Sequence, residues 1–169
     1  MNRITMTLIA ASLVAGLQAQ TNPLIAEAKA AYTGIKNNLT KMAEKMPDEH
    51  YSFKASPDIR PFGALIAHVA DSQAGTCSSQ LGERKSVDAG KKTAKAELVA
   101  ALKQSFEYCD AAFAALTDAN AMELLKTPRG QVSRIGALIR NTTHDNEEYG
   151  YMAVYLRLKS IVPPSSEGR

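Results

Sequence analysis

Apolar side chains recur at steps of three and four residues along most of the chain, and this spacing predicts helices rather than strands. Leu24, Ala28, Ala31, Ile35, Leu39, Met42 and Met46 define a first amphipathic helix, opened by Asn22-Pro23 and closed before Pro47. The prolines between Pro47 and Pro61 predict an ordered loop, long enough to carry function. A second helix is expected from about Pro61 or Phe62 to Leu81, with Phe62, Leu65, Ile66, Val69 and Cys77 on its apolar side and Gly82 as its stop. Val99, Leu102, Phe106, Cys109, Phe113 and Leu116 alternate steps of three and four, the seam of a bundle helix. A short helical turn is expected at Met122 to Leu125, before the breakers Pro128 and Gly130. The fourth helix is expected from about Val132 to Lys159, ended by Pro163-Pro164 and a polar tail expected to be disordered from about residue 163. Four such helices without a convincing strand pattern predict an all-α four-helix bundle.

Composition narrows this picture. The chain has 169 residues, 45% of them hydrophobic and 22% charged, the balance of one globular domain. The formal charge of +3 is spread among interleaved acidic and basic residues, and the basic stretch Lys91, Lys92 and Lys95 contains no aromatic residue. It reads as a solvated loop or helix start, and no nucleic-acid partner is expected.

Residues 1–19 have the layout of a cleaved secretory signal: Arg3, an apolar run from Ile4 to Leu17, then small residues around Ala19. An uncleaved anchor is the alternative, although the apolar run is short of the roughly twenty residues that span a membrane. The expectation is a domain over residues 20–169, periplasmic or secreted, without stable membrane insertion after cleavage. In an oxidising compartment Cys77 and Cys109 can form a bridge; a pair of buried free thiols is the other reading.

The candidate chemistry lies in the histidines, His50, His68 and His144. His144 and Glu148 are four residues apart on the fourth helix, which stacks their side chains one turn apart on one face. His68 on the second helix has the small neighbours Ala64 and Gly75 in line with it, while Cys77 projects to the opposite side. Spacing alone leaves ordinary solvated or locally bonded side chains as the simpler reading. His50, in the loop, is read as structural. Helical projection also sets His144, Glu148, Tyr151 and Tyr155 across from an Ile135 and Ile139 stripe, so the fourth helix should bury one face and line a cleft with the other, where the tyrosines are candidate pocket residues.

Two segments carry a resemblance: the run from Phe62 through His68 to Asp71, and the run from Asn141 through His144 and Glu148 to Gly150. They resemble the DinB-like family of metal-dependent four-helix bundles, whose members carry a histidine on the second helix and a His-x-x-x-His pair on the fourth. In that register His68 and His144 match ligand positions, and Glu148 stands where the family has its third histidine. The resemblance implies a divalent metal, whether zinc, nickel, iron or manganese, held by His68, His144 and Glu148, with the carboxylate moving preference away from nickel. Glu147 and Asp145 are the alternative carboxylates, and Asp145 or Asp71 could orient a ligand histidine.

The function this implies is a metal-dependent hydrolase or transferase acting on a small-molecule substrate, with a homodimer as a further expectation. The alternative is a non-enzymatic metal- or ligand-binding bundle, or a structural one with a degenerate site. No catalytic residue is assigned beyond the ligands, and no phosphate-cradling loop or serine triad suggests another cofactor or enzyme class.

Overall fold

The computed structural model describes residues 23–127 and 130–168. The expected signal segment and the Asn22 cap lie outside the described residues. Four helices account for most of the rest: α1 (Pro23–Lys45), α2 (Phe62–Gln80), α3 (Lys95–Ala114) and α4 (Arg134–Leu158). They form the expected all-α bundle, and among the described residues no helix is long and apolar enough to cross a membrane.

Cross-helix contacts give the directions. Tyr32 bonds to Asp110 and Lys103 pairs with Glu44, so α1 runs antiparallel to α3. Gln73 meets Ser105 and Cys77 bonds to Cys109, so α2 runs parallel to α3. Arg134 donates to the Gln80 carbonyl and Tyr155 to that of Arg60, so α4 runs antiparallel to α2. The parallel pair forces residues 81–94 to return along a helix about 28 Å long. Two devices hold this return. A Schellman turn ends α2, with Gly82 at φ +73° and Glu83 N–H donating to the Ser78 carbonyl. Further along, Asp71 accepts from the amides of Ala89 and Gly90, both at 2.8 Å.

The long loop between α1 and α2 is ordered for an equally local reason. Pro61 gives α2 no side-chain cap. Its first amides are satisfied instead by the loop backbone: Phe62 N–H donates to the Phe53 carbonyl and Gly63 N–H to that of Tyr51. Tyr51 is buried, donates from its hydroxyl to the Ala43 carbonyl and sets its ring edge-on to Phe62. Gly63 allows this close approach, since a Cβ there would lie 3.1 Å from Tyr51 Cδ1 and 3.2 Å from the Tyr51 carbonyl oxygen.

The core is one cluster. Ile35, Leu39 and Met42 of α1, Phe62, Ile66 and Val69 of α2, Leu98, Leu102 and Phe106 of α3, and Leu138, Met152 and Leu156 of α4 all enter it. The predicted periodicity matches in most places, while Leu24 and Ala31 are exposed and Tyr32 takes the inward position on α1. Cys77 and Cys109, fully buried, form a disulfide across α2 and α3 with Cα atoms 4.8 Å apart. This resolves the choice between a bridge and free thiols.

Three expectations need correction. The helical turn at Met122 to Leu125 is not formed: β1 (Leu124–Thr127) and β2 (Gly130–Ser133) pair as a small antiparallel hairpin. Pro128 biases Thr127 toward extended backbone, which favours the strand. The fourth helix starts two residues later than expected, at Arg134, because the Ser133 side chain caps it by accepting from Gly136 N–H. The tail is folded over its described residues, 163–168, with Pro164 buried at the start of a single 3-10 turn, Pro164–Ser166. Tyr149 and Ser165 exchange hydrogen bonds, and Lys45 pairs with Glu167.

Candidate metal centre

His68 occupies the second turn of α2 and His144 the middle of α4, which antiparallel packing brings to one level. Their Nε2 atoms lie 3.2 Å apart, and the rings meet edge-to-face with centroids 5.1 Å apart. Glu148, one turn beyond His144, places Oε1 at 3.7 Å from His68 Nε2 and 3.8 Å from His144 Nε2. A point equidistant from three atoms at these separations lies about 2.1 Å from each, within the roughly 2.0–2.2 Å of zinc bonds to imidazole nitrogen and carboxylate oxygen. Two neutral imidazoles and a carboxylate with open positions suit zinc, iron or manganese. These three side chains could therefore hold a metal ion.

Beneath them lies a polar layer inside the bundle. Asp145 is fully buried, and its Oδ1 stands 3.7 Å from His144 Nδ1. Asn141, a turn earlier and also buried, donates from Nδ2 to Asp145 Oδ2 at 3.1 Å. Burial pushes the Asp145 carboxyl up from its ordinary range, although nearby His144 opposes this. Its interaction with Asp145 in turn raises the His144 imidazole above its ordinary value, against the effect of burial. His68 moves the other way: burial lowers it, more strongly than the Glu148 carboxylate raises it. Four buried polar atoms here lack a hydrogen-bond partner among the described residues: His144 Nδ1, Asp145 Oδ1, Asn141 Oδ1 and Glu148 Oε2. Such a concentration in one place calls for an explanation, and an ion or water held there would supply one.

The other candidates separate clearly. Asp71 is committed to the Ala89 and Gly90 amides and so holds the backbone. Glu147 is exposed and accepts from the Tyr151 hydroxyl. His50 sits in the turn Asp48–His50, outside the cluster. Asp145, which helical projection turns away from His144, comes closest to its Nδ1. The expected division of α4 also fails in one respect: Ile139 is exposed, whereas Glu148 and Tyr155 belong to the buried side together with Ile135. The site is therefore an edge of the core face. Tyr151 and Tyr155 do line a cavity of about 460 Å³ with Glu148, Ile59 and Arg60. Arg60 has no counterpart among the candidates from sequence, and its position directly before the Pro61 that opens α2 was the available signal.

A mainly helical, four-helix bundle carrying a two-histidine, one-carboxylate cluster between α2 and α4 defines the class. The family model of the DinB superfamily matches residues 31–152, and the chain belongs to that superfamily. Its fold is similar to the crystal structure of a DinB-like protein from Bacillus cereus ATCC 10987, with a TM-score of 0.73, 16% identity, and coverage of 83% of this chain and 95% of that one. A structure described as a candidate DinB family member from Exiguobacterium sibiricum 255-15 has a TM-score of 0.58 and 15% identity, covering 83% and 94%. No curated protein matches the chain.

Proposed function

We propose that the protein binds one divalent cation through His68 Nε2, His144 Nε2 and Glu148 Oε1 and uses it in a hydrolytic or group-transfer reaction on a small molecule. The observation that carries this reading is the triangle of donor atoms, whose separations fit a single cation at ordinary bond lengths. A cation held there would supply Lewis acidity to a substrate oxygen or sulfur. The chain's own groups have separate tasks. Asp145 Oδ1 lies 3.7 Å from His144 Nδ1, where its charge would favour a proton on that nitrogen and leave the Nε2 lone pair free, while Asn141 holds Asp145 in place. Glu148 would supply the negative charge that balances a dication between two neutral imidazoles, and its Oε2, buried and without a partner among the described residues, would be left to accept a hydrogen bond from a group bound beside it.

We further propose that the protein acts outside the cytoplasm. The buried Cys77–Cys109 bridge supports an oxidising compartment, in keeping with the signal-like first nineteen residues. Elemental analysis of protein purified without chelator or metal-affinity resin tests the metal reading. Near-stoichiometric zinc, iron or manganese, lost in both His68→Ala and Glu148→Ala, is the expected result. A folded wild type that takes up none of the supplied metals contradicts it.

A further inference from the structure

A cavity of about 760 Å³ opens on the α2–α3 side of His68. Two of the side chains along its wall, Arg60 and Lys92, are cationic, and neither makes a side-chain hydrogen bond or ion pair among the described residues. Arg60 also borders the neighbouring cavity that reaches Glu148, and its charge acts on His68, opposing protonation of that ring. One carboxylate, Asp71, lines the larger cavity, but both its oxygens accept from backbone amides. Pro61, Gly63 and Thr93 lie on the same wall, so the cavity borders the beginnings of both α2 and α3.

We propose that this cavity binds an anionic group of the substrate, a phosphate or carboxylate, through Arg60 and Lys92, with the substrate's reacting atom turned toward His68, His144 and Glu148. The assignment of a reacting end rests on the proposed cation site; the anion subsite does not. Arg60 is the residue best placed to set orientation. Its backbone is fixed by the Tyr155 hydroxyl, which donates to its carbonyl at 2.6 Å, while its planar guanidinium can pair with two oxygens of one anion. The loop that carries it is pinned by Tyr51 and Phe53 to the start of α2, so the cation stays beside the cluster. The hydroxyls of Ser52, Ser72 and Thr93 add polar groups to a lining that is otherwise mostly apolar.

The test is calorimetric titration of the full folded protein with inorganic phosphate and, separately, with acetate, each on zinc-loaded and chelator-treated samples. Wild type, Arg60→Gln, Arg60→Lys and Lys92→Gln are compared, with zinc content and thermal melting measured on every sample. The expected result is phosphate binding that persists after chelation, weakens about tenfold or more in Arg60→Gln and Lys92→Gln, and is partly kept in Arg60→Lys. Zinc content should be unchanged in all three. The tighter of the two probes identifies the anion. Binding present only with zinc and indifferent to both glutamine variants would place the anion on the metal and overturn the subsite. Absence of phosphate and acetate binding in every wild-type sample would overturn it as well. Binding that depends on Arg60 and Lys92 in a protein that takes up no zinc would uphold the subsite while contradicting the metal reading.

Discussion

His144 Nε2 stands 3.2 Å from His68 Nε2 although 76 residues separate them in sequence. That pairing depends on the antiparallel packing of α4 on α2, which the Arg134 contact to Gln80 and the Tyr155 contact to Arg60 fix at either end. The cluster thus sits on two rigid helices, which hold a site more accurately than loops do.

Asp145→Asn should weaken metal binding about 10- to 100-fold while leaving the ligands in place. The side chain keeps its size and can still meet Asn141, but it loses the charge beside His144 Nδ1. Competition against a chromophoric chelator measures the change. An unaltered affinity would remove Asp145 from the site.

In the metal-free protein the two imidazoles should titrate on opposite sides of the usual histidine value of 6.5, His144 above it and His68 below. The raised His144 contributes stability that is complete below pH 6.5 and lost as pH rises through its folded value. The lowered His68 acts oppositely, costing stability as pH falls from 6.5 through its folded value, so the two effects partly cancel. Zinc needs both Nε2 lone pairs, and the rise in Tm that it produces should therefore fade on acidification from about pH 7.5 to 5. Proton NMR of the ring resonances, with and without zinc, reads both effects. A reversed order of titration would contradict the account.

Removing the bridge with Cys77→Ser and Cys109→Ser together should cost about 3–4 kcal/mol, the loop-entropy value for a sequence separation of 32. Urea unfolding measures it. Zinc stoichiometry should survive, because the bridge joins α2 to α3 whereas the ligands join α2 to α4.

Gly63→Ala should destabilise the fold by about 1–3 kcal/mol, since the added methyl must displace the Tyr51 ring or carbonyl. Chemical denaturation gives the loss. Faster proteolysis within residues 47–61 would show that the Tyr51 contact is what holds this loop.

The helices are legible in the sequence because they rest on local periodicity: Ile35, Leu39 and Met42 repeat inward, and His144 and Glu148 share a face by their spacing, whereas the grouping of that pair with His68 as a candidate metal site comes from the family resemblance and not from periodicity. What escapes depends on partners distant in sequence. The folded tail is held by Tyr149 and Lys45, neither near it in sequence. Strands of four residues are too short to show alternation, so the hairpin is hidden. Asp145 is legible only as one of two candidates for orienting a histidine, and tertiary partners separate them: Asp71 accepts from the Ala89 and Gly90 amides, whereas Asp145 Oδ1 lies 3.7 Å from His144 Nδ1. Arg60 lies on a loop, where helical periodicity carries no information.

The central claim is best tested by a crystal structure of the zinc-soaked protein with anomalous difference density at the zinc edge. One peak about 2.0–2.2 Å from His68 Nε2, His144 Nε2 and Glu148 Oε1 is predicted. Zinc bound elsewhere on the chain, with these three atoms unliganded, would contradict it.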